Sequence, residues 1–167
     1  VSTIGLSDSH TYQQDFALAP ISKPVKMDNI FFKFGSWELT PDSEAGLNSL
    51  VKLLNDNPNI TIELAAHTDM IGNNAANQEL SLKRAQSVTN YLIQKGIETA
   101  RITPVGYGEE KPVVVDESLN KQYPFLPKEQ MLDEAFISNL PENQQEVCNS
   151  LNRRTEFRVL KTTYNLY

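Results

Sequence analysis

Ile60-Thr61-Ile62-Glu63-Leu64-Ala65-Ala66-His67-Thr68-Asp69 is the stretch on which the fold turns. Ile60, Ile62 and Leu64 fall on alternate positions, the two-residue period of a half-buried strand. A polar loop follows through Gly72, Asn73, Asn74 and Asn77. Beyond it, Ala85, Val88, Tyr91 and Leu92 recur at helical spacing. That pattern predicts a helix from about Ser81 to Lys95, with Ser81 as N-cap and Gly96 as the stop.

Upstream, the aromatic run Asn29–Phe34, bounded by Gly35 and Ser36, reads as an earlier strand. Thr40 and Pro41 supply a helix start, and Leu47, Leu50, Val51 and Leu54 give that helix one apolar face. Asn57-Pro58 closes it. Downstream, Arg101–Gly106 reads as a third strand whose Pro104 suggests a strand end or edge, and Thr155–Leu160 alternates cleanly as the last. Strand, helix, strand, helix, strand, strand predicts an α+β or α/β sandwich with helices packed on one sheet.

The composition bounds the function. The 167 residues suffice for one domain, 40% of them are apolar, and the formal net charge is -6. An acidic balance argues against general nucleic-acid affinity and against adhesion to anionic lipid by charge alone. Cys148 is the single cysteine, so a disulfide framework and a multi-cysteine zinc site are excluded. No apolar run approaches the ~20 residues of a membrane helix, so no direct membrane insertion by this segment is expected. Residues 1–20 lack a signal-peptide pattern and the first residue is Val. The chain is expected to be a mature segment or excised domain, with targeting and anchoring elements outside it.

Residues 1–24 are polar and read as an arm or edge strand leading into a domain over 25–167. Within it, residues 116–150 carry seven acids against two lysines and read as an acidic insertion before the last strand. Pro127 is expected to begin a helical stretch with Met131, Leu132, Ala135 and Phe136 as its face. Pro141 is expected to begin a shorter one carrying Val147 and Leu151.

Three polar clusters line up along the chain. The first is His67-Thr68-Asp69 with Gly72. The second runs from Asn77 through Leu80-Ser81 to Arg84-Ala85, continuing to Gly96-Ile97. The third is Arg101-Ile102 to Gly106-Tyr107-Gly108, closed much later by Asn152-Arg153-Arg154-Thr155-Glu156-Phe157. In that order the chain resembles the OmpA C-terminal domain family, which includes peptidoglycan-associated lipoproteins and flagellar stator proteins. The insertion and the Asn152–Phe157 ending are similar, more narrowly, to domains at the end of type IX secretion lipoproteins.

The resemblance implies an α+β fold of β-α-β-α-β-β order, with helices on one mixed sheet and a partly helical insertion before the last strand. It implies non-covalent binding of the peptidoglycan stem peptide through meso-diaminopimelate, in the periplasm, without cofactor. Outer-membrane or secretion-system proteins are the expected partners. The free end of diaminopimelate carries an ammonium and a carboxylate on one carbon, which calls for an acid and a guanidinium close together. By the family's pattern Asp69 takes the ammonium and Arg84 the carboxylate, with Arg153 assisting. Asn77, Thr68 and the backbone around Gly35-Ser36 line the rest. A Ser81 N-cap would put the positive end of the helix beside Arg84.

Each of these residues also has an ordinary reading. A strand-end Asp is commonly a turn former, and an exposed Arg is commonly a solvated helix residue. Arg153 and Arg154 are adjacent, so one is expected to face the site and the other away, with Arg153 favoured. His67 is expected to be a hydrogen-bonded structural histidine, and Cys148 at most a weak nucleophile. Phe31, Phe32, Phe34 and Trp37 are expected at the core or its rim, with stacking on sugar as the alternative for Trp37. Lys33 stands where many members of the family carry an acid, so the groove edge is expected to be more positive. The insertion is expected to cover the groove, lengthen it or bind a protein partner. A scaffold acting through the insertion and a small hydrolase using Asp69 and His67 are the competing functions. The hydrolase lacks a nucleophile elbow or a ligand cluster in the sequence.

Overall fold

The computed structural model describes residues 23–164. Four strands form one mixed sheet: β1 (Val25–Lys26), β2 (Thr61–His67), β3 (Ile102–Gly108) and β4 (Arg154–Lys161), in the order β1-β4-β2-β3. β2 and β3 are parallel, and β4 lies antiparallel to both β2 and β1. Five α-helices occur among the described residues: α1 (Glu44–Asp56), α2 (Asn74–Gln94), α3 (Glu117–Gln122), α4 (Glu134–Ile137) and α5 (Glu142–Asn152). The fold is the α+β sandwich expected, and α2 is the crossover that parallel neighbours require.

The sheet has two unlike faces because the strands alternate. Ile62, Leu64 and Ala66 of β2 pair with Val159, Phe157 and Thr155 of β4 on one side. With Leu47, Leu50 and Leu54 of α1 and Val88 and Leu92 of α2, most of these side chains make the main core. The opposite side presents Glu63, Ala65 and His67 against Arg158, Glu156 and Arg154. A second core gathers Val115, Leu126, Leu132, Ile137 and Cys148, giving the region of the acidic insertion an apolar centre of its own.

Three local expectations are corrected. Residues 29–34 are not a sheet strand. The run folds back on itself through one bridge, Phe32 to Leu39. Lys33 N–H donates to Glu38 O, and the turn carries Gly35 at φ +62°. The position beside β4 is taken by Val25–Lys26, and Ser43 Oγ fastens the loop by accepting from Phe31 N–H at 2.7 Å. Secondly, α2 starts at Asn74, with Asn73 Oδ1 accepting from Ala76 N–H at 3.1 Å as N-cap. The polar residues between Asn74 and Glu79 belong to the helix rather than to a loop, with Asn77 and Gln78 half-buried. Ser81 lies buried inside α2.

Thirdly, the segment after Pro127 is a turn with Glu129 at φ +65°, followed by a bridge between Val114 and Met131. Helix there is limited to α4, which Asp133 caps by accepting from Phe136 N–H. The helix after Pro141 is the longer of the two, not the shorter. Val25–Lys26 forms an edge strand, and residues 1–22 of the expected arm lie outside the described residues. Pro104 sits on β3, an outer strand, where a proline is tolerated.

Candidate functional site

Antiparallel pairing of β2 with β4 sets the end of one beside the start of the other, with His67 opposite Arg154. The next residues outward are therefore Asp69 and Arg153, which are 84 positions apart in sequence and meet at 2.6 Å between Oδ2 and Nη1. Asp69 is nearly buried, and its other oxygen accepts from Ile71 N–H at 3.0 Å, an Asx turn that fixes the carboxylate. Thr68 extends the sheet by one bond, its N–H donating to Gly108 O at 2.8 Å, while its hydroxyl donates to Asp69 O.

Arg84 approaches from α2. Its Nε–H donates to Ser36 O at 2.9 Å, and its guanidinium lies 5.0 Å from the centre of the Phe32 ring. Among the described residues its terminal nitrogens have no hydrogen-bond partner. Burial pulls its pKa below arginine's ordinary value; the charge of Asp69 opposes that and the charge of Arg153 adds to it. Arg84, Asp69 and Arg153 thus share one electrostatic neighbourhood. For Arg153, burial alone would lower the pKa, but the hydrogen bonds to Asp69 and Glu146 outweigh it and raise it.

The structure brings Asp69, Thr68, Arg84, Arg153 and Ser36 to one end of the sheet. The direct ion pair of Asp69 is with Arg153, not with Arg84. Gly35 shapes the turn that aims the Ser36 carbonyl, and a side chain there would meet nothing within 4 Å. Asn77 braces the loop: its amide donates to Ile71 O at 3.2 Å and Glu109 Oε2 at 3.1 Å. The expected helix terminus beside Arg84 is absent, because α2 begins ten residues earlier and Arg84 sits in its interior. Ser81 instead bridges elements, accepting from Gly108 N–H at 2.9 Å and donating to Gln78 O. Lys33 adds little free charge to the rim, being paired with Glu38 at 2.5 Å.

Glu146 escaped the sequence reading. It lies on α5 and its Oε1 is 2.5 Å from Arg153 Nη2, so Arg153 bridges two carboxylates. The signal was the spacing of seven between Glu146 and Arg153, two helical turns on one face. Arg154 turns to the other face of the sheet, where its Nε is 3.1 Å from Glu156 Oε1. The same oxygen is 2.7 Å from His67 Nε2. Although that approach is close, neither ring nitrogen of this buried histidine makes a well-aligned hydrogen bond among the described residues. Glu63 accepts from Tyr107 and Arg158 beside it. This polar face borders a concavity of about 980 Å³ that the sequence did not reveal. Neither it nor a groove of about 440 Å³ beside Trp37 includes Asp69, Arg84 or Arg153 in its lining, so the charged cluster lies apart from both.

Cys148 is fully buried in the second core, and burial raises its thiol pKa. Among the described residues no group of three or more His, Cys, Asp or Glu side chains is placed to hold a metal ion. No helix among them is long and apolar enough to cross a membrane. What the cluster can do chemically is pair with charge: one fixed carboxylate, one guanidinium with an open fork, and a second guanidinium already shared.

The sequence pattern of the OmpA family matches residues 31–123, more than half of the chain. Outer membrane porin F of Pseudomonas fluorescens is 38% identical over 96 residues, 57% of this chain and 29% of the porin. The chain therefore corresponds to under a third of that relative's length. The peptidoglycan-associated lipoprotein from Burkholderia pseudomallei superposes with a TM-score of 0.54 at 25% identity, covering 78% of this chain and 87% of that one. A MotB-like protein of Desulfovibrio vulgaris gives 0.59 at 22% identity, covering 93% and 91%, a likeness of fold.

Proposed function

This chain belongs to the OmpA family, and from that premise we propose that it is a non-catalytic module that binds peptidoglycan through the diaminopimelate of the stem peptide. One observation carries the reading. A nearly buried carboxylate, Asp69, lies within the electrostatic reach of Arg84, a guanidinium whose terminal nitrogens are open. A zwitterion on one carbon answers both charges. Its ammonium replaces part of the Arg153 contact on Asp69, and its carboxylate takes the Arg84 fork in a bidentate pair. Thr68, Asn77, Gly35 and Ser36 hold those two groups in place. The likeness to a peptidoglycan-associated lipoprotein supports the ligand class.

The role that follows is to tether an outer-membrane protein or secretion assembly to the cell wall from the periplasm. A type IX secretion lipoprotein is the narrower form of that assembly. A second reading has one observation in its favour. The separate apolar core around Leu126, Leu132 and Cys148 makes the acidic segment a stable platform for a protein partner.

The test is calorimetry of the purified domain with a diaminopimelate-containing tripeptide, beside Asp69→Ala and Arg84→Ala. Wild-type binding that weakens as salt rises, and that both folded variants lose, is the expected result. Binding that both variants retain would sink the site. No binding by the wild type to peptide or to whole sacculi would transfer the function to the acidic segment.

A further inference from the structure

Trp37 is the chain's single tryptophan and is 47% exposed. It follows Ser36, whose carbonyl receives Arg84, and it flanks a groove of about 440 Å³ between its own loop and α2. The groove is lined by Ser36, Trp37, Ser87, Asn90, Tyr91 and Gln94, among others. Tyr91 commits its hydroxyl to Asn48 Oδ1 at 2.8 Å, so its ring is what it offers the groove. The amides of Asn90 and Gln94 have no hydrogen-bond partner among the described residues. Glu38 also borders the groove, but its charge is matched by Lys33. Lys83 lies 4.3 Å from the centre of the Trp37 ring, which steadies the indole.

Aromatic surface beside unengaged primary amides, with the lining carboxylate of Glu38 paired and Lys95 lying 5.4 Å from the centre of the Tyr91 ring, suits an uncharged ligand that has one C–H-rich face and a polar edge. Pyranose sugars carrying N-acetyl groups are of that kind. Resting on the wall-binding reading above, we propose that this groove is a saccharide subsite. It takes an amino sugar of the glycan strand while the stem peptide occupies Asp69 and Arg84.

The spacing agrees. Arg84 and the groove residue Asn90 are six residues apart on α2, about 9 Å at 1.5 Å per residue. Diaminopimelate is the third residue of a stem peptide counted from the sugar, and three extended residues reach about 10 Å. A ligand anchored at Arg84 therefore meets the groove without doubling back. The subsite also gives a use to an exposed indole that the core does not need.

The experiment compares two soluble fragments by calorimetry: the free tripeptide, and the same tripeptide on its N-acetylglucosamine–N-acetylmuramic acid disaccharide. The wild type should bind the disaccharide form roughly threefold to tenfold more tightly, the scale of one aromatic contact with one or two hydrogen bonds. Trp37→Ala and, separately, Asn90→Ala should each shrink that ratio toward one, with folding checked by circular dichroism. Trp37 fluorescence should shift with the disaccharide form well beyond its response to the free tripeptide. Equal wild-type affinities, or a Trp37→Ala variant that weakens both ligands by one factor, would overturn the subsite and leave the stem-peptide reading intact. Binding of neither fragment would bring down both.

Discussion

Arg84 commits one donor to the fold and leaves its terminal nitrogens open. Its Nε–H is spent on Ser36 O, and its plane lies against Phe32, which together fix where the terminal nitrogens point. A lysine keeps the charge but cannot make the backbone bond and present a planar fork at once. Arg84→Lys is therefore expected to lower stem-peptide affinity about tenfold, with Arg84→Ala losing between tenfold and a hundredfold. Those losses correspond to one charge-assisted pair of about 1.5–3 kcal/mol. Calorimetry on folded variants measures them, and a lysine variant that binds like the wild type would show that only charge matters there. Residue types were legible at this scale, whereas their partners were not. Asp69 and Arg84 stand out in the sequence, but the contact Asp69 makes is with Arg153, because antiparallel pairing of β2 and β4 brings those two ends together. Arg101 shows the same limit: it reads as a strand opener, yet it is buried and donates to the carbonyls of Ile60, Leu54 and Asn57. Only tertiary structure tells which carbonyls a guanidinium reaches.

Helix starts were the least legible elements, for a physical reason. Asn, Gln and Glu between Asn74 and Glu79 suit a loop as well as an exposed helix face, and apolar periodicity begins only where α2 meets the sheet. The contact between α2 and β3 is so close that Gly106 has no room for a side chain: a Cβ there would lie 2.3 Å from Leu82 N and 2.6 Å from Ser81 Oγ. Since backbone cannot move aside as a flexible side chain can, Gly106→Ala is expected to destabilise by about 3 kcal/mol. Gly35→Ala, with open space around it, should cost only about 1–2 kcal/mol for its positive φ. Urea denaturation of the two variants checks the order, and equal losses would refute the packing argument. The α5 helix makes a different contribution. Glu146 balances Arg153, so Asp69, Glu146, Arg84 and Arg153 sum to zero charge, matched to a zwitterion rather than to an anion. Glu146 is largely exposed, so its effect is screened. Glu146→Gln is expected to weaken the diaminopimelate tripeptide only two- to fivefold. It should also reduce the preference over a tripeptide whose free ammonium is acetylated; an unchanged preference would remove Glu146 from the site.

At the scale of the whole molecule the sheet separates two kinds of stability: apolar packing on one face, and paired charge around His67 on the other. The polar face makes stability depend on pH, and the signs can be worked out group by group. Burial lowers the pKa of His67 below its ordinary 6.5, and the charges of Arg154 and Lys111 act in the same direction against the pull of Glu156. As pH falls through 6.5 the unfolded chain takes up a proton that the folded chain refuses, so stability drops until the lower folded value is reached. Glu156 and Glu63 behave alike at lower pH. Burial would raise both, but His67 and Arg154 bring Glu156 below its ordinary 4.5, and Arg158 and Tyr107 do the same for Glu63. Their contribution is present above 4.5 and lost as pH falls through the folded values. Two acid-sensitive windows should therefore appear, the upper from the histidine and the lower from the carboxylates. His67→Gln keeps a donor toward Glu156 but cannot titrate, and His10 is then the only histidine left. Urea midpoints measured from pH 7.5 to 3.5 should slope in the wild type between about 7 and 5, by at most about 1.4 kcal/mol per pH unit. They should be flat there in His67→Gln while still falling below about 4.5. A variant that keeps the upper slope would locate the neutral-range proton elsewhere and deny His67 this role.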